Sequence, residues 1–160
     1  MTAIAIIVLF IIAAVVILRL LGKRISGDQD GRVDQIPAVV AQLRASGKNG
    51  SFAVFRFAAA GEPLDEAHTA EMQYSIESGQ LGLDWTLLAT RNIADKERIA
   101  AFVRDHGHAV NERQMNGVDY LRVEDGDLVA LGSLIAREVY GLASDSPVDL
   151  IVEDFVWPPK

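Results

Sequence analysis

Sixteen consecutive apolar residues, Ala3 to Leu18, form a run with no polar face, closed by Arg19, Leu20 and Leu21 and then by Gly22-Lys23-Arg24. A helix over residues 1–21, at about 1.5 Å per residue, spans about 30 Å, the hydrocarbon thickness of a bilayer. The run therefore predicts a transmembrane anchor, with the lipid bilayer as partner through residues 1–21. A cleaved signal peptide fits less well, because it needs a basic n-region and a small-x-small cleavage site. Here only Met1 and Thr2 precede the run, and Ile17-Leu18-Arg19-Leu20-Leu21 offers no Ala-x-Ala. A buried core helix would need a polar face.

Orientation follows from the cations. Arg19 can snorkel to the headgroups, and Lys23 and Arg24 lie just past the apolar end, while Asp28 and Asp30 count little in the positive-inside rule. The expectation is a single-pass inner-membrane protein with its C-terminal domain in the cytoplasm. The absence of Cys agrees with a reducing compartment.

Three segments result: the anchor 1–21, a Gly- and polar-rich tether 22–32, and one soluble domain over 33–160. From Val33 onward there are 11 Lys and Arg against 20 Asp and Glu, a net charge of −9 compared with −7 for the whole chain. An acidic domain repels phosphate backbones and anionic headgroups, which argues against nucleic acid as a partner.

Within the domain, Ile36, Val39, Val40 and Leu43 give a helical stripe over Asp34 to Ser46, with Pro37 in the first turn and Gly47 at the end. SFAVFRF (51–57) reads as a central strand, apolar on both faces. After a loop over Ala58 to Thr69, Met72, Tyr74 and Ile76 alternate with Glu71, Gln73, Ser75 and Glu77. Ser78-Gly79 turns the chain, and Leu81, Leu83 and Trp85 alternate with Gly82, Asp84 and Thr86. Period two on both arms predicts antiparallel strands with one buried and one wet face. Asn92 is placed as the cap of a helix to His106. Asn116-Gly117 turns a second hairpin (109–115, 118–123), Asp127 caps a last helix ending at Gly141, and Val148 to Phe155 closes the sheet. The expected fold class is α+β: an N-terminal transmembrane helix plus one domain of mostly antiparallel sheet, with helices packed on one face, in the order α-β-β-β-α-β-β-α-β.

The order helix, three strands, helix, two strands, helix over residues 34–141 resembles that of type III secretion chaperones and bacterial sensory-regulator-like proteins. The stretches YSIESGQLGLDW and NGVDYLRVEDG are similar to those of uncharacterised single-span bacterial membrane proteins. The chaperone resemblance implies a small domain that binds protein segments and does no chemistry. The anchor and the final strand depart from the chaperone pattern, and no functional residue is carried over.

Chemistry-bearing clusters are few. His106-Gly107-His108, with Asp105 and Glu112 nearby, lacks a third ligand at a familiar spacing and reads as a helix end. Asp28-Gln29-Asp30-Gly31 and Glu124-Asp125-Gly126-Asp127 lack the remaining ligands of a calcium loop. Gly47-Lys48-Asn49-Gly50-Ser51 leads into a strand, whereas a phosphate loop opens a helix. Ser133 sits within a helix without a nucleophile elbow. Trp85 reads as core. Trp157 reads as an edge cap, with partner docking the alternative, and the polar hairpin faces read as wet sheet, with a recognition face the alternative. No catalytic, cofactor-binding or metal-binding residue is assigned, and none of these features calls for an enzyme. The functional expectation is a membrane-anchored, cytoplasmic protein-interaction domain, chaperone-like or adaptor. The alternatives are a small ligand-binding or enzymatic domain, or a structural subunit of a membrane complex.

Overall fold

The computed structural model describes residues 28–158. The transmembrane helix expected over residues 1–21 lies outside the described residues, as does the tether up to residue 27. Among the described residues no helix is long and apolar enough to cross a membrane. The expected architecture is corrected accordingly: the structure is an α+β domain of antiparallel sheet and helices, and its element order differs at the first element.

That first element is a strand. Asp28–Arg32 (β1), expected as tether, pairs antiparallel with Pro147–Glu153 (β7), Gln29 opposite Leu150 and Gly31 opposite Val148. An edge strand can be held by its backbone ladder alone, so DQDGR needs no apolar alternation to pair. Gly31 faces the core side, where a Cβ would come within 3.3 Å of Val148 Cγ2.

A short 3₁₀ turn (Val33–Gln35) leads into Ile36–Ser46 (α1), whose Ile36, Val39, Val40 and Leu43 are all buried. Then come Phe52–Phe57 (β2), Ala70–Glu77 (β3), Gln80–Thr86 (β4), Thr90–Ala94 (α2), Lys96–Asp105 (α3), Asn111–Met115 (β5), Val118–Val123 (β6) and Leu128–Leu134 (α4). A π turn, Ile135–Val139, extends α4 before β7. The sheet order is β1-β7-β2-β3-β4-β6-β5, with every neighbouring pair antiparallel. Both hairpin turns use left-handed residues, Ser78-Gly79 and Asn116-Gly117, as two-residue connections require.

One face of the sheet carries the main core. Phe55, Phe57, Met72, Tyr74, Trp85, Leu121 and Leu150 pack there against α1, α3 and α4. Tyr74 is fully buried, and its hydroxyl donates to the Leu128 carbonyl at 2.9 Å. Gly132 makes room for that hydroxyl, since a Cβ there would overlap it.

Asn92 does not cap a helix. It lies inside α2, fully buried: Oδ1 accepts from the Glu71 amide at 2.9 Å, and Nδ2 donates to the carbonyls of Glu71 and Thr86 at 2.8 Å each. The helix expected from Asn92 to His106 is accordingly two helices meeting at Asp95. An Asn side chain can satisfy strand ends as readily as helix ends, and here tertiary bonding to the strands prevails.

Candidate functional site

The opposite face of the sheet is not the wet surface that the alternation predicts. Among the polar hairpin residues, Glu71, Ser75 and Asp84 are buried, while Gln73, Glu77 and Thr86 are half-buried. The reason lies on β6, where Tyr120 and Arg122 point to the same side, and Asp84 pairs in register with Arg122.

Arg122 is completely buried on this face, and Asp84 is only 1 % exposed. Its Nη1 donates to Asp84 Oδ1 at 2.7 Å and to Ser75 Oγ at 2.9 Å, while Ser75 Oγ donates to Asp84 Oδ2 at 2.5 Å. The guanidinium also donates from Nε to Glu124 Oε1 at 2.7 Å and from Nη2 to the Gln80 carbonyl at 3.1 Å. It lies flat over β4 because Gly82 has no side chain; a Cβ there would overlap the guanidinium carbon. Close approach of this kind is a principal reason for glycine within a strand.

Burial pushes the Asp84 carboxyl up to about 6, against the opposing pull of Arg122 and the Ser75 hydroxyl. Glu124 is held below the ordinary glutamate range by its hydrogen bond from Arg122, with Arg113 adding to the effect. Burial, reinforced by Glu77, raises the Tyr120 hydroxyl to about 12, so it stays a proton donor at neutral pH.

Glu77 is held differently. Its carboxylate has Arg122 Nη1, Arg113 Nη1 and the Tyr120 hydroxyl around it, each at 3.4 Å. Charge-assisted bonds close to about 2.7–2.9 Å, so none of these three is a tight one. By contrast, Arg113 Nη2 reaches Glu124 Oε2 at 2.7 Å. Farther along the face, Arg56 lies 3.5 Å from Glu71 and 3.8 Å from Asp149; its buried Nε has no hydrogen bond among the described residues.

Beside this network the sheet forms a cleft of about 50 Å³. Phe52 and Val54 form one wall, Met115, Val118 and Leu88 contribute to the other, and Glu71, Glu77 and Asp84 lie among them. Phe52 and Val54 form a small separate apolar cluster with Ile151. Small-molecule pockets run to about 300–1,000 Å³, so a cleft of this size accepts the tip of a side chain rather than a metabolite.

The remaining candidates are placed apart. His106 Nδ1 bonds the Phe102 carbonyl at 2.8 Å, and His108 Nδ1 bonds the Asp125 carbonyl at 3.0 Å. Among the described residues, no group of three or more His, Asp or Glu is placed to hold a metal. Asp127 caps α4 through the Ala130 amide at 3.0 Å. Ser133 Oγ donates to the Val129 carbonyl, Ser51 Oγ to the Asp154 carbonyl, and Gly47 ends α1. Trp85 is core, its Nε1 donating to the Asn92 carbonyl at 3.1 Å. Trp157 packs partly buried against the main core. A second hollow, about 350 Å³, lies between β1, β7 and the loop after β2, lined by Asp30, Ala58–Glu62 and Leu142 among others.

Reading the residues in isolation misses Arg122, Tyr120, Arg113 and Arg56. The signal for Arg122 was in the chain: a cation between Leu121 and Val123, in a strand able to pair with the one carrying Gly82 and Asp84. No protein-family model matches this chain, and neither a curated protein nor a solved structure matches it.

Proposed function

We propose that the domain is a protein-interaction module whose binding surface is the sheet face that no helix of the described residues covers. The observation that carries this reading is the cleft itself: apolar walls from β2 and the β5–β6 hairpin flank buried and half-buried carboxylates over a fixed guanidinium floor. A face serving only as solvated surface has no need of a fully buried arginine network, whereas a recognition surface needs rigid support beneath its contacts. The cleft's volume suits a side chain of a partner protein. The chaperone-like element order points to the same class of function.

Site-specific photo-crosslinking in the native host tests the reading. A photoreactive residue at Val118 or Val54 should give a discrete adduct that Phe52→Asp abolishes, while one at Arg104 on α3 should give none. Adducts from Arg104 alone would overturn it. A second reading, a small-ligand-binding domain, is favoured only by the 350 Å³ hollow, whose volume falls in the range of ligand sites.

A further inference from the structure

We propose that the cleft recognises a basic side chain, Lys or Arg, presented by an extended partner segment with apolar neighbours, and that Glu77 is the carboxylate that receives it. The inference rests on the reading of this face as a protein-binding surface and adds the chemistry of the partner.

Charge complementarity selects the occupant. In the ion-paired network of this face, five carboxylates, of Glu71, Glu77, Asp84, Glu124 and Asp149, lie against three guanidiniums, of Arg56, Arg113 and Arg122. No Lys or Arg lines the cleft among the described residues; Arg56 and Arg122, the cations paired with Glu71 and Asp84, are not among its lining groups. An anionic guest would meet Glu71, Glu77 and Asp84 together. A cation would meet them with the surplus charge in its favour.

The commitments of these groups single out Glu77. Asp84 and Glu124 each accept a bond of 2.7 Å from Arg122, and Asp84 is closed off by Ser75 as well. Glu77 is 25 % exposed and, among the described residues, its charged and hydroxyl partners stand at 3.4 Å, so both its oxygens keep room for a short charge-assisted bond. A ligand ammonium or guanidinium placed there would form the tight pair that the resident cations do not.

Size and walls agree. A volume of about 50 Å³ is on the order of one to two water molecules, enough for the head of a basic side chain. Its aliphatic stem would lie along Met115, Val118 and Tyr120, as long cationic side chains do on apolar surface. In an extended segment the residues two before and two after point to the same side, where Phe52 and Val54 on one flank and Leu88 on the other would meet apolar groups.

The test uses the full chain, ¹⁵N-labelled, titrated with acetyl-Leu-Ser-Xaa-Ser-Leu-amide in which Xaa is Lys, Arg, norleucine or Glu. The Lys and Arg peptides should saturably shift the amides of Thr86, Val118 and Tyr120. The norleucine peptide should bind at least about tenfold more weakly, and the Glu peptide not at all. Glu77→Gln should weaken the Lys peptide about tenfold and leave the norleucine peptide unchanged. Equal binding of Lys and norleucine peptides at these amides, or no effect of Glu77→Gln, would overturn the charge recognition while sparing the binding face. No shift on this face with any peptide would overturn the binding face itself. If Lys23→Gln/Arg24→Gln tightens the Lys peptide tenfold or more, the chain's own basic pair is the occupant and the external partner is overturned.

Discussion

The two faces of one sheet are held by different physics. On the helix side, Phe55, Phe57, Tyr74 and Trp85 interlock with α1, α3 and α4, and the Tyr74 hydroxyl and Trp85 indole are each closed by one hydrogen bond to a backbone carbonyl. On the other side no helix among the described residues covers the strands, yet Arg122 is as buried as Phe55. There, charge and hydrogen bonding take the place of shape, with Ser75, Asp84 and Glu124 enclosing the guanidinium. A face covered by helices is finished by its own chain. The other face is held by a charge network whose Glu77 carboxylate is only partly engaged.

This contrast can be broken at defined points, each read as a shift in urea midpoint at constant slope. The largest loss is expected on the helix side: Phe55→Ala should destabilise the domain by about 4 kcal/mol, since a fully buried ring leaves a cavity. Next comes Arg122→Met, similar in volume, at about 3 kcal/mol at pH 7, because Asp84 is left buried without its cation. That loss depends on pH in a known sense. The folded Asp84 carboxyl already lies above its unfolded value of about 4, so its ionisation weakens the fold as pH rises toward 6. Without Arg122 the folded value moves higher still, so the penalty should grow from pH 4 to pH 7 and shrink on acidification. Phe55→Ala should show no such dependence.

Gly82→Ala probes the floor under the guanidinium and should lose about 2 kcal/mol, as overpacking does when the neighbour is pinned by several bonds. The smallest effect belongs to Glu77→Gln, within about 0.5 kcal/mol, because its contacts are long and partly exposed. A loss of about 3 kcal/mol there would place Glu77 among the supports of the network and erase the difference between the floor and the proposed binding group.

Periodicity and turn chemistry made much of the element pattern legible. The stripe Ile36, Val39, Val40, Leu43 marks α1, and Ser78-Gly79 and Asn116-Gly117 mark both hairpins. Features that depend on neighbours remote in sequence were not legible. β1 has no apolar pattern because its partner supplies the pairing groups. Asn92 has the letter of a helix cap and the surroundings of a strand bridge, 21 residues from Glu71. The alternating polar residues of β3 and β4 look wet until Arg122, 38 residues after Asp84, is brought over them. The candidate site was visible only as a polar hairpin face; its cations lay on strands that had not yet been placed beside it.

The strand order has a consequence for how the chain is made. β7 lies between β1 and β2, so Asp28 pairs with Ile151, 123 residues later in the chain. During synthesis on the ribosome, β2 to β6 and their helices emerge before Pro147–Glu153, leaving β2 with a bare edge and β1 with no neighbour. Such remote pairing forms slowly and exposes unpaired strand groups to other chains meanwhile. The sheet is thus completed last at its β7–β1 end, and the window between the emergence of β2 and that of β7 is when a nascent chain is most open to misassembly.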